Sequence, residues 1–217
     1  PACRVRRDDI ERQLDHRPEH VLALGRIDLG AGDHVVHHAA DRQRPRGRPR
    51  GKGVERAGLH VGGDHAILAQ PLETLAPEQL EEQLRVNLTT PTLLGRDVGL
   101  RMKQRGAGSI LTLLDYAHER PRPHYLAYEV GKAGLRAATL ALARDLAPEV
   151  RVNGLALGAV LPRGGATEAT IEAETKATLL QRHGSTPDVL AAIDYLAHAA
   201  PFVTGSILTL DGGRHLR

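Results

Sequence analysis

Tryptophan is absent from these 217 residues, and phenylalanine, methionine and cysteine occur once each. So small a stock of rings argues against a stacking surface for single-stranded nucleic acid, which seats successive bases on aromatic side chains. Cys3 alone cannot close a disulfide within the chain. No apolar run reaches the roughly 20 residues of a membrane-spanning helix, and none has the organisation of a secretion signal. No membrane association and a cytoplasmic setting are therefore expected. Internal repeats are missing too. What remains, 41% hydrophobic residues in a chain of one-domain length, suffices for a single core.

The absences are uneven. Residues 1–70 hold no asparagine, phenylalanine or tyrosine, and Arg42 to Gly53 (RQRPRGRPRGKG) offers nothing apolar to anchor a core. Residues 1–65 carry 13 Lys and Arg against 10 Asp and Glu, while the remainder balances at 16 of each, so the net charge of +3 belongs to this arm. Pro45-Arg46-Gly47-Arg48-Pro49 reproduces the core of an AT-hook, which lays arginines into the narrow minor groove of A·T-rich DNA. DNA binding is kept as a minor alternative. His34, His37 and His38 have neither cysteines nor a predicted helix to fix them as metal ligands and are read as solvated loop histidines, so no metal is expected. The division expected is a basic, Arg/His/Pro/Gly-rich segment at 1–65 and a catalytic part at 66–217.

Beyond that arm the chain becomes informative. Gly108-Ser109-Ile110-Leu111-Thr112-Leu113-Leu114 reads as a buried strand that delivers Asp115 to its carboxyl end, where ligands gather in open α/β sheets. Tyr128 and Lys132 stand four apart, just over one helical turn, so phenol and ammonium share a face. An ammonium so placed is expected to lower the tyrosine's pKa and make it a proton donor near neutral pH. Ala133 to Leu146 continues the helix until Pro148, and Arg151 to Gly158 reads as a second buried strand closed by a glycine turn. A helix is also expected over Pro77 to Arg105. His118 and His124 are read as rim residues.

On these residues the chain resembles the short-chain dehydrogenase/reductase family, from about Pro71 to the C-terminus. Val86-Asn87-Leu88 matches the segment that supplies a catalytic asparagine, Asp115 stands where most relatives have serine, and Tyr128 and Lys132 match the catalytic pair. Arg151-Val152-Asn153, Thr204-Gly205 and Asp211-Gly212-Gly213 match three further signatures. Aspartate in the serine position is most similar to the pteridine reductases, as are Pro123-His124-Tyr125 and the closing Arg214-His215-Leu216. The resemblance implies an α/β, Rossmann-like doubly wound parallel sheet and NADPH-dependent reduction of a pterin-like C=N or C=O substrate, with NADH possible in its place. It further implies a homodimer or homotetramer, built on helices Pro77 to Arg105 and Tyr125 to Leu146. Asn87, Asp115, Tyr128 and Lys132 would form the catalytic set, and Asn87, Tyr128, Lys132, Gly158, Ala159 and Val160 would meet the cofactor. Asn87 would hold a relay water, with Pro91 leaving the Asn87 carbonyl free to do so; a helix-bending asparagine is the alternative.

Two departures qualify the resemblance. Leu157 replaces the family's usual proline before Gly158, and no Thr-Gly-x-x-x-Gly-x-Gly turn for the cofactor's pyrophosphate occurs. Val21 to Gly32 is the nearest imitation, a strand-like run whose glycine spacing is one residue too long. Residues 1–65 are accordingly read as a segment replacing the family's own N-terminal part, or as out-of-frame translation of a GC-rich gene; a genuine basic arm competes. The fold's N-terminal part is expected to be atypical or incomplete. A catalytically silent family member, serving as an oligomer partner, is the alternative function. Gly164 and Gly165 suit a hinge for the loop and helix that cover substrate in relatives.

Overall fold

The computed structural model describes residues 21–24, 69–118, 120–160 and 166–217. The AT-hook-like tract, His34, His37, His38 and the glycines at 164 and 165 lie outside the described residues.

Among the described residues, four strands form one all-parallel sheet in chain order: β1 (Val21–Leu24), β2 (Gly108–Asp115), β3 (Val150–Leu157) and β4 (Ile207–Leu210). Val21 pairs with Ser109 and Leu24 with Thr112, so residues on both sides of position 65 share this sheet. Pro77–Leu84 (α1) runs through a π-helical turn at Arg85–Thr89 into α2 (Thr90–Arg105), which fills the expected helix from end to end. Pro77 suits the first turn because its missing N–H would have no intrahelical partner there. Gly106 closes α2 with φ 85°, a left-handed cap that glycine adopts without Cβ strain. Helix α3 (Leu126–Leu146) crosses from β2 to β3, and α4 (Glu168–Lys176) and α5 (Thr186–Asp194), the latter extended by a π turn at Tyr195–Ala199, connect β3 to β4.

Alternation along β2 sends successive side chains to opposite faces of the sheet, and both faces are covered. Ile110, with Val150 and Val152, packs on Val98 and Met102 of α2 and on Ala143 and Leu146 of α3. Leu111 turns to Leu196 and Ala197 on the other side. Leu113 and Leu155 meet Val189 and Ala192 of α5, whereas Leu114 and Ala156 meet Leu135 of α3. That two-sided burial explains why β2 reads as an almost unbroken apolar run, with Thr112 its polar exception. The Thr112 hydroxyl is satisfied by Thr139 of α3 at 2.7 Å.

The strands end together. Asp115 pairs with Leu157, and Leu157 with Leu210, which brings the carboxyl ends of β2, β3 and β4 into one row. Gly158 follows directly, and a Cβ there would stand 2.6 Å from the Cα of Asp211. Its bare Cα is thus required by the chain returning after β4. Asp211 in turn accepts from the backbone N–H of Gly213 and His215 and from His215 Nδ1, at 2.8–2.9 Å. Burial opposes its charge, but these donors outweigh it and hold the carboxyl below its ordinary range.

Candidate active site

Asp115 is aimed by its own turn. Its Oδ1 accepts the backbone N–H of Ala117 at 2.8 Å, two residues on, and this fixes the side chain at the end of β2. The other oxygen, Oδ2, receives the Tyr128 hydroxyl at 3.0 Å and Nη2 of Arg122 at 3.1 Å. Tyr128 sits in the first turn of α3 and is 6% exposed. One turn later Lys132, 2% exposed, donates from Nζ to the carbonyl of Leu113 at 2.9 Å. Three residues predicted as catalytic therefore meet.

Their electrostatics differ from the sequence expectation. Tyr128 has its pKa raised well above the ordinary 10, not lowered. Burial is the first cause, followed by the charge of Asp115 and the hydrogen bond to it; both favour the neutral phenol. Arg122 opposes them. Lys132 lies 5.7 Å from the Tyr128 ring centroid and donates one hydrogen bond to the Leu113 carbonyl. Spacing of four residues predicts a shared face and says nothing about what else each head group touches.

Asn87 is buried in the π turn, and its amide donates to the carbonyl and Oε1 of Gln83, both at 3.1 Å, within its own helix. The turn follows from Pro91, which lacks the N–H an α-helix would return to Asn87. Helix α3 approaches closely here: a Cβ on Gly131 would lie 3.0 Å from the Asn87 Cβ, so Asn87 stands beside the turn that carries Lys132. Ala159 accepts from the N–H of Gly184 at 2.9 Å, and Val160 packs with Val189 and Ala192. His124 is exposed, with φ 69°.

Arg122 and Glu129 escaped the sequence reading. Arg122 Nε donates to Glu129 Oε1 at 2.9 Å while Nη2 holds Asp115, and the guanidinium lies 4.9–5.8 Å from the ring centroids of Tyr125, Tyr128 and Tyr116. Arg214, from the C-terminal turn, covers Tyr116 at 5.2 Å. One signal was available. Glu129 falls among the apolar positions of α3, and a buried glutamate requires a cation.

Residues 55–215 match the family described as Enoyl-(Acyl carrier protein) reductase. Dihydromonapterin reductase of Shigella boydii serotype 4 (strain Sb227) is 32% identical over 164 residues, which make up 75% of this chain and 67% of that enzyme. The chain belongs to the short-chain dehydrogenase/reductase family. Dihydromonapterin reductase of Citrobacter koseri is 31% identical to this family member over 173 residues, 76% of this chain and 72% of the relative. Among solved structures, FolM alternative dihydrofolate reductase 1 from Brucella suis, in complex with NADP, has a TM-score of 0.65 at 24% identity, covering 75% of each chain, and shows the shared fold. Gluconate 5-dehydrogenase from Burkholderia cenocepacia J2315, in complex with NADP and tartrate, has a TM-score of 0.64 at 27% identity over 69% of this chain. The short-chain dehydrogenase/reductase chain spans 61% of the length of that enzyme. Among the described residues, no group of three or more His, Cys, Asp or Glu side chains is placed to hold a metal ion, and no helix is long and apolar enough to cross a membrane.

Proposed function

We propose that the chain is an NADPH-dependent reductase, also open to NADH, of a pterin-like C=N substrate. The observation that carries this is the shared Asp115 oxygen: a phenol donor and a carboxylate acceptor meet at 3.0 Å at the carboxyl end of a central parallel strand. A carboxylate accepts hydrogen bonds from N–H and amino groups, which a pterin ring offers and a simple ketone does not.

The donor set fits the nicotinamide ribose. Lys132 has three N–H bonds, one of which goes to Leu113, and Tyr128 lies a turn away on the same helix. When bound, the reduced nicotinamide supplies a hydride to the substrate carbon. Tyr128 delivers the proton to the substrate nitrogen, so that the C=N bond gains one hydride and one proton. Asp115 receives the substrate's N–H or amino hydrogen and orients the ring. Asn87, at the π turn beside Lys132, would hold a water through its backbone carbonyl, and Gly158, Ala159 and Val160 would help to hold the nicotinamide.

Turnover of NADPH by the purified chain with a dihydropterin, compared with a small ketone, tests this reading. Asp115→Ser is expected to cut dihydropterin reduction at least tenfold more than ketone reduction. Equal losses on both substrates would remove Asp115 from ring recognition.

The sequence lacks a Thr-Gly-x-x-x-Gly-x-Gly turn, which favours a second reading: a silent family member acting as an oligomer partner. Titration with NADPH separates the two, since a silent chain binds none. Either way a homodimer or homotetramer is proposed, because Leu93 and Leu100 of α2 and Leu126, Val130 and Leu140 of α3 expose apolar surface on the helices that pair across subunits in relatives. Light scattering should give a mass of two or four chains, and a monomer would refute it.

A further inference from the structure

We propose that Arg122 is a positioning residue of this site: its guanidinium clamps Asp115 to Glu129, holds the Asp115 carboxylate against the Tyr128 hydroxyl, and supplies the positive charge that Tyr128 needs to act as an acid. This rests on the reductase reading but concerns a residue that none of the family signatures includes.

The geometry is specific. Nη2 of Arg122 and the hydroxyl of Tyr128 converge on one carboxylate oxygen, at 3.1 and 3.0 Å. Loss of the phenol proton would leave phenolate and carboxylate side by side, two anions that cannot share so small and buried a site without a cation between them. The guanidinium adjoins that oxygen and faces the Tyr128 ring at 5.6 Å. It cannot drift, because Nε is held by Glu129 at 2.9 Å and the plane is packed among the rings of Tyr116, Tyr125 and Tyr128. The loop itself is fastened, since the backbone N–H of Gln70 donates to the carbonyl of His124 at 2.6 Å.

Glu129 completes the device. Its carboxylate is buried, Oε1 takes Arg122, and Oε2 has no hydrogen-bond partner. Burial raises its pKa and Arg122 opposes the rise. Burial likewise disfavours the Arg122 charge, but Asp115 and Glu129 more than compensate and raise its pKa. The charged and titratable groups around Tyr128 are therefore Asp115 from β2, Arg122 from the loop, and Glu129 and Lys132 from α3, with Tyr116 and Tyr125 across the guanidinium. Lys132 donates to the Leu113 carbonyl and lies 5.7 Å from the Tyr128 ring centroid, whereas Arg122 binds the very oxygen that accepts the Tyr128 hydroxyl.

Tyrosinate absorbance in the near ultraviolet tests this directly, because the chain has no tryptophan and only four tyrosines. The Tyr128 component is the difference between each protein and its Tyr128→Phe counterpart. Arg122→Gln should move that component up by at least one pH unit, a tenfold drop in the ionisation constant, and Arg122→Lys should recover most of the change. Lys132→Gln should move it less. Glu129→Gln keeps a hydrogen bond to Arg122 but deletes a competing anion, so it should move the component down. A Tyr128 titration unmoved by Arg122→Gln, or moved further by Lys132→Gln, would overturn the proposal, as would an upward shift in Glu129→Gln. Should Arg122→Gln not fold, the Arg122→Lys and Glu129→Gln arms decide alone. The titration requires neither cofactor nor substrate, so a chain that turns over nothing would sink the reductase reading and leave this test standing.

Discussion

Tyr128→Phe is expected to lower kcat for reduction roughly 10²–10⁴-fold, the usual contribution of a positioned general acid, while cofactor and substrate affinities stay nearly unchanged. The reason for the split is structural. Removing the hydroxyl deletes the proton donor but leaves the ring packed beneath Arg122, and Asp115 retains both Arg122 and the Ala117 N–H. Lys132 keeps its bond to Leu113. The pH profile gives a second readout with a definite sign. An acid catalyst must carry its proton, and burial and Asp115 push the Tyr128 pKa well above 10. Tyr128 therefore stays protonated through the neutral range, and its limb on kcat/KM lies beyond pH 10, with activity falling as pH rises through it. In Tyr128→Phe that limb should vanish along with the rate. A variant retaining more than a tenth of wild-type kcat, or a wild-type profile that falls through pH 7–8 on this group, would refute the assignment.

Much of this site was legible from residue order because the fold puts consecutive chemistry at one edge. A strand with an unbroken apolar run, buried on both faces, had to be central in a parallel sheet. Asp115 at its end and Tyr128 early in the next helix then fell at the same carboxyl edge. Periodicity placed Lys132 below Tyr128 for the same reason. Periodicity could not place Arg122, which reaches Asp115 and Glu129 from a loop between Pro121 and Pro123, where no repeat governs direction. It also misjudged the sign of the Tyr128 shift. That sign depends first on the burial of the phenol and then on the charge and hydrogen bond of Asp115, an anion contributed from thirteen residues away. Gly158 shows another case: it is expected from the resemblance to face the cofactor, and the contact the structure shows at its Cα is the Asp211 backbone.

The Arg-Val-Asn signature has a structural explanation that leads to the largest stability effect. Arg151 projects from β3 to the carboxyl end of the helix formed by α5 and its π turn, where carbonyls have no intrahelical donors and the dipole is negative. Its guanidinium donates to the carbonyls of Leu196, Ala197, Ala200 and Val203 at 2.8–3.2 Å. Asn153, two residues along, continues the same seam. Its amide donates to Val203 and its carbonyl oxygen accepts the N–H of Ser206, while Thr204 Oγ1 accepts the N–H of Val152. The two signatures are thus halves of one joint that fixes where the chain enters β4 and so where Asp211 meets Gly158. Arg151→Ala should cost about 1.5–3 kcal/mol in denaturant unfolding, the range for hydrogen bonds to a charged group, because four carbonyls lose their donor at once. Arg151→Lys should recover only part of that, since an ammonium has three donors and no planar fork to span the helix end. A loss under about 1 kcal/mol for Arg151→Ala, the scale of an exposed ion pair, would mean that water replaces the guanidinium and that the joint is held by Asn153 and Thr204 alone.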